Sequence, residues 1–187
     1  MAKRGTRESA STASSGNALY YGDNLDVLRA HIEDESVDLV YLDPPFQSGR
    51  DYNIIYTDDD GSPASAQRQA FRDTWRWDAK AAAAYDEVIR TGTPVGLALR
   101  AFQEFLGDGQ MLAYMSMMSV RLLELRRVMK PTATLYLHCD PTASHYLKIV
   151  LDAIFGADNF RAELVWKRSS AHSSSRKFSP VHDTILC

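Results

Sequence analysis

The chain has 187 residues, is 45% hydrophobic and 24% charged, and has a formal net charge of −3, enough apolar material for a buried core and too acidic to announce a general nucleic-acid binder, for which a pI above about 9 is the simple footprint. Two cysteines, Cys139 and Cys187, form no pair motif and suit a reducing cytosol. No apolar run approaches the roughly 20 residues that span a bilayer, and the first residues lack the apolar segment of a secretory signal, so a cytoplasmic protein without a membrane partner is expected.

Residues 1–16 read as a disordered tail carrying Lys3, Arg4 and Arg7. Ala18 to Tyr21 reads as a short strand ending at Gly22-Asp23, and Asn24 can cap a helix with Leu25, Leu28 and Ile32 at helical spacing. Val37 to Leu42 is a strand too apolar to be half exposed. It stops at Asp43-Pro44-Pro45-Phe46, because consecutive prolines cannot continue a central strand.

Residues 47–110 read as a helical insertion, with a solvated turn at Asp58 to Pro63 and helices over Ala79 to Ile89 and Leu97 to Leu106. Met111, Met115, Met118, Leu122, Leu125 and Met129 then make one apolar stripe. Such a stripe can line a ligand groove, but core packing is its ordinary use. Lys130-Pro131 ends that helix, and Thr134 to His138 is a strand. Asp140 and Pro141 open the next helix as N-cap and first residue; Tyr146, Leu147, Val150, Leu151 and Ile154 form its buried face, and Gly156 ends it. Ala162 to Lys167 and Val181 to Cys187 are strands on either side of a polar, basic loop. Alternating strands and helices predict an α/β fold, a parallel-based sheet with helices on both faces. The chain ends inside or just after a strand.

The motif with chemical content is Asp43-Pro44-Pro45-Phe46, at the strand end where open α/β sheets bind ligands. The exocyclic amino group of adenine or cytosine is a poor nucleophile, because its lone pair is delocalised into the ring. Two acceptors aimed at its N–H bonds favour a pyramidal nitrogen with a localised lone pair. Asp43 offers a carboxylate, and Pro44 a main-chain carbonyl held stiffly by two fixed φ angles. Phe46 offers a stacking face for a base taken out of the duplex. The plain alternative is a proline-rich turn with a capping aspartate. A second signal, Gly22-Asp23-Asn24-Leu25, lies at another expected strand end. Asp23 there can accept from a cofactor's adenine amino group or ribose hydroxyl, or can simply cap the helix.

Together, "LYYGDNLDVL", "SVDLVYLDPPF", "LLELRRVMKPTATLYLHCDPTASHYLKIVLDAIFG", "ELVWKR" and "VHDTILC" resemble the amino-group DNA methyltransferases. More narrowly, they resemble the permuted β class, which includes modification subunits of type III restriction-modification systems. The resemblance spans 17–187 and implies a Rossmann-like S-adenosylmethionine-dependent methyltransferase fold: an incomplete doubly wound sheet with a helical insertion. It implies that Asp43, Pro44, Pro45 and Phe46 are the catalytic tetrad, and that Asp23, Asn24, Leu25 and Asp43 contact S-adenosylmethionine. An aspartate opening the tetrad points to adenine N6, with cytosine N4 as the alternative. The implied partners are double-stranded DNA with a flipped base, a second copy of the chain, and a restriction subunit.

One departure is large. The β class holds the methionine end of its cofactor with a Phe-x-Gly-x-Gly loop near the carboxyl terminus, after the target-recognition region, and this sequence contains none. Gly107-Asp108-Gly109 follows a helix and reads as a turn. The chain is accordingly expected to be an amino-terminal fragment of the catalytic domain, with a non-catalytic DNA-binding fragment as the alternative reading.

Lys167, Arg168, Arg176 and Lys177, near Arg161 and among serines, suit phosphate contacts on a loop over 169–180 that would begin the target-recognition region; a solvated loop explains them equally well. Trp75 and Trp77 could flank a DNA channel or pack an insertion onto the core. His138, Cys139, Asp140 and His145 are metal-ligand types, but adjacent strand residues point to opposite faces. No metal is expected, and these read as strand-end and cap residues.

Overall fold

The computed structural model describes residues 16–46, 51–52, 71–72, 75–168 and 181–187. The expected tail up to residue 15, the turn Asp58 to Pro63 and the basic loop 169–180 lie outside the described residues.

Helix α1 (Asn24–His31) starts one residue earlier than expected, because Asp23 and not Asn24 is the N-cap: its carboxylate accepts from the Leu25 N–H at 3.0 Å. At the other end, Arg127 donates to the Leu28 carbonyl at 2.8 Å, satisfying a terminal acceptor that the helix itself cannot. A turn leads to β1 (Val37–Leu42). Two-residue strands β2 (Asp51–Tyr52) and β3 (Phe71–Arg72) pair antiparallel. Helices α2 (Ala79–Arg90), α3 (Pro94–Leu106) and α4 (Gln110–Val128) follow, then β4 (Met129–Cys139), α5 (Pro141–Phe155), a 3₁₀ turn at Ala157–Asn159, β5 (Glu163–Lys167) and β6 (His182–Leu186).

The main sheet has strand order β1-β4-β6-β5. Only β1 and β4 run parallel; β4 with β6 and β6 with β5 are antiparallel. The expected parallel-based sheet is therefore a small, open, mixed one. Strands β5 and β6 are consecutive in the chain and pair as antiparallel neighbours. Pro131 sits where β4 gains residues against β1, between the pairs Val37↔Met129 and Leu39↔Thr134, so its missing N–H breaks no ladder bond. Met129 begins the strand, and α4 ends at Val128.

Side-chain alternation puts Val40, Leu135, Leu137, Cys139 and Leu186 on one face, all buried in a core with Leu122 and Leu125 of α4 and Leu147 and Val150 of α5. The opposite face of β1 is open. Leu39 and Tyr41 are each 60% exposed. The expectation that β1 is covered on both sides is thus corrected: its apolar sequence fills one core face and leaves the other bare. Leu164 and Trp166 of β5 share that bare face.

Ala18 to Tyr21 forms no strand, and Leu19 is 99% exposed. A strand needs a hydrogen-bonded neighbour, and no described strand lies beside it. The methionine stripe of α4 is core, with Met115, Met118, Leu122 and Leu125 buried. Leu112, Tyr114, Ser116 and Ser119 are buried as well, because α1, α2, α3 and α5 surround the helix. Gly107, with φ +66°, ends α3, and the next turn opens α4. Asp140 caps α5 through the Ala143 N–H at 2.9 Å, and Gly156 ends it with φ +90°.

Candidate active site at the carboxyl end of β1

The register Leu42↔Leu137 brings the next residue of each strand, Asp43 and His138, out side by side. His138 Nδ1 lies 3.2 Å from Asp43 Oδ1. The His138 and Phe46 rings meet edge to face, centroids 5.0 Å apart and planes 80° apart. The Asp43 side chain is 60% exposed, so its carboxylate faces solvent and not the interior. Pro44, Pro45 and Phe46 are half-buried. The corner thus combines a hydrated carboxylate, a main-chain carbonyl stiffened by two prolines and an aromatic ring.

Behind His138 stands a second carboxylate. Asp183, on β6, is buried, and its Oδ2 lies 3.5 Å from His138 Nε2. Arg168, just past β5, donates to Asp183 Oδ1 at 3.1 Å and so compensates a charge that burial would otherwise penalise. The row Asp43, His138, Asp183, Arg168 therefore crosses from the solvent edge of β1 to the start of the basic loop. Arg168 has part of its guanidinium committed within the protein, whereas Lys167 is exposed. Arg176 and Lys177 lie outside the described residues.

The Gly22-to-Leu25 signal sits at the start of α1. The Asp23 carboxylate takes both the cap bond and the Arg121 guanidinium, whose Nη2 lies 2.8 and 2.9 Å from its two oxygens. Arg121 Nε also donates to Asn24 Oδ1 at 2.8 Å. The Asp23 side chain remains 48% exposed, so lone pairs still face solvent. Among the described residues no hydrogen bond or ion pair joins Asp23 to Asp43.

Sequence reasoning passed over three residues here. His138 read as a strand-end residue; the parallel pairing of β1 with β4 places it on Asp43. Asp183 and Arg121 carried no local signal, since their partners lie 45 and 98 positions away in the chain. Cys139 behaves as expected of a neighbour of His138 on the opposite face: it is fully buried, and burial, with Asp140 beside it, pushes its thiol up to about 12. Trp75 and Trp77 pack against the core, with Trp75 on Tyr114 at 5.0 Å and Trp77 on Tyr85 at 5.6 Å. No described helix is long and apolar enough to cross a membrane.

A family model described as DNA methylase matches residues 37–187, from the first residue of β1 onward. The chain belongs to the DNA methylase family. Among its relatives is the Mod subunit of the type III restriction-modification enzyme StyLTI from Salmonella typhimurium, 30% identical over 170 residues, or 88% of this chain and 22% of that one. The Mod subunit of EcoP15I from Escherichia coli is 29% identical over 177 residues, 92% of this chain and 24% of that one. The type II methyltransferase M.KpnI from Klebsiella pneumoniae is 25% identical over 176 residues, 92% of this chain and 32% of that one. This DNA methylase chain thus spans between about a fifth and a third of the length of these relatives.

Proposed function

We propose that this chain supplies the amino-group-activating corner of an S-adenosylmethionine-dependent DNA methyltransferase that methylates N6 of adenine. The observation that carries the reading is the solvent-facing Asp43 carboxylate at the end of β1, followed by two prolines and a half-buried aromatic.

The amino group is out of reach inside a paired stack, so the target base must leave the duplex, and Phe46 gives its ring a face to rest on. Asp43 accepts one N–H of the amino group and the Pro44 carbonyl the other. Both acceptors are positioned before the reaction starts, so little reorganisation is needed as positive charge develops on nitrogen. The amino nitrogen attacks in line, and the proton it sheds already points at an Asp43 oxygen. S-adenosylmethionine, when bound, supplies the electrophilic methyl group. The residues at the start of α1 fit its adenosine end: Asp23 keeps lone pairs in solvent for a ribose hydroxyl or an adenine amino group, with Asn24 and Leu25 beside it.

Membership of the DNA methylase family supports a Rossmann-like cofactor fold of which the mixed sheet is a part. Residues 17–187 then form part of the catalytic domain, with 169–180 as the start of target recognition. Lys167, Arg168, Arg176 and Lys177 contact phosphates of double-stranded DNA. The Mod relatives support a restriction subunit as a further partner, and a second copy of the protein is proposed beside it.

The test is product analysis. The intact protein is incubated with DNA and methyl-labelled cofactor, and the digested DNA is examined by mass spectrometry. N6-methyladenine is expected. N4-methylcytosine would move the reading to the other base, and no methylated nucleoside would overturn it.

A further inference from the structure

Asp43 has a geometric difficulty. Its side chain is 60% exposed, and a solvated carboxylate rotates freely unless something holds it. Hydrogen-bond activation of an amino group requires one oxygen to stay within reach of one N–H, and a misplacement of about 1 Å costs on the order of 100-fold in rate. Among the described residues, the side chain that meets the Asp43 carboxylate is His138: Nδ1 stands 3.2 Å from Oδ1. Among the described residues, that contact leaves Oδ2 for a substrate.

His138 is itself held from two sides. It sits in the ladder of β4, paired with Ile185 of β6. Its ring meets Phe46 edge to face at 5.0 Å. Its Nε2 is buried without a hydrogen bond, 3.5 Å from the buried carboxylate of Asp183, which Arg168 holds in turn. An unsatisfied buried ring nitrogen is costly unless the arrangement has a use.

Resting on the methyltransfer reading above, we infer that His138 is a positioning residue: its Nδ1–H fixes one oxygen of Asp43, so that the other meets the amino group, and the β4–β6 pairing with the edge contact to Phe46 holds the imidazole in place. Because the same ring meets Phe46, it sets the carboxylate and the stacking face in one frame.

The roles of the two ring nitrogens can be separated by substitution in the intact protein. Asparagine places an amide donor near the position of Nδ1, glutamine near that of Nε2, and phenylalanine keeps the ring without a donor. His138→Asn is expected to keep kcat within about 5-fold of wild type, while His138→Gln and His138→Phe lose on the order of 100-fold, with KM for DNA unchanged in all three. Equal loss in all three variants, wild-type kcat in His138→Phe, or a change confined to KM would overturn the assignment. A second measurement does not depend on turnover. Nitrogen-15 NMR of the imidazole should show the proton on Nδ1 in the wild type and its transfer to Nε2 in Asp43→Ala, where only Asp183 remains as acceptor; an unchanged tautomer would overturn the proposal. If the wild type methylates no amino group while the tautomer responds to Asp43, the methyltransfer reading fails and the positioning geometry stands.

Discussion

Cys139 and His138 are adjacent on β4 and meet opposite fates. The thiol enters the core, where burial holds it neutral, up to about pH 12. In the unfolded chain it ionises near the ordinary thiol value of 9.0. The folded state thus keeps a proton that the unfolded state has released. Cys139 contributes stability that is complete below pH 9 and is lost as pH rises towards 12, with a slope of up to about 1.4 kcal/mol per pH unit. Urea unfolding between pH 8 and 11 should show a shallower alkaline decline for Cys139→Ala than for the wild type; parallel declines would contradict it. The opposite fates of 138 and 139 were legible from strand alternation. The contact of His138 with Asp43 was not, because it depends on which strand becomes the neighbour of β1, and short-range pattern is silent on that. The link from Arg121 to Asp23 escaped for the same reason, whereas the diproline corner was legible because it is contained in four consecutive residues.

Helices α2 and α3 approach closely at one point. A Cβ built on Gly96 would lie 3.0 Å from the Val88 carbonyl oxygen and 3.2 Å from the Ile89 Cα, both backbone atoms that cannot step aside. Propensity alone says that Gly96→Ala should stabilise α3 by up to about 1 kcal/mol. The clash reverses the sign. Gly96→Ala should destabilise the protein by about 1–3 kcal/mol in urea unfolding, the usual cost of overpacking; a gain in stability would show that the two helices can separate freely. Helical periodicity placed α2, α3, α4 and α5 within a few residues of their observed ends, since each carries a repeating apolar face. It misjudged β1 and Ala18 to Tyr21. An apolar run reports a capacity to be buried on two sides, and whether both sides are covered depends on elements far away in the chain.

Across the whole molecule, one sheet face is packed under α4 and α5 and the other leaves Leu39, Tyr41, Leu164 and Trp166 bare. The candidate site stands at the carboxyl end of the parallel pair β1 and β4, and draws residues from β1, β4, β6 and the segment after β5. The mixed sheet order that places Asp183 behind His138 could not be foreseen from alternation of strands and helices, which led to a parallel arrangement. The family likeness and the tetrad, by contrast, were visible in the sequence, and a family match over residues 37–187 bears the likeness out.

The central claim is that Asp43 acts as an acceptor towards a planar amino group. Asparagine has the same shape but can turn an NH₂ donor towards that group. Methyl transfer to DNA by the intact protein should fall by about 100- to 1,000-fold in Asp43→Asn, the usual cost of removing one preorganised electrostatic partner, while circular dichroism stays at the wild-type value. Methyl transfer by Asp43→Asn at the wild-type rate would contradict the account.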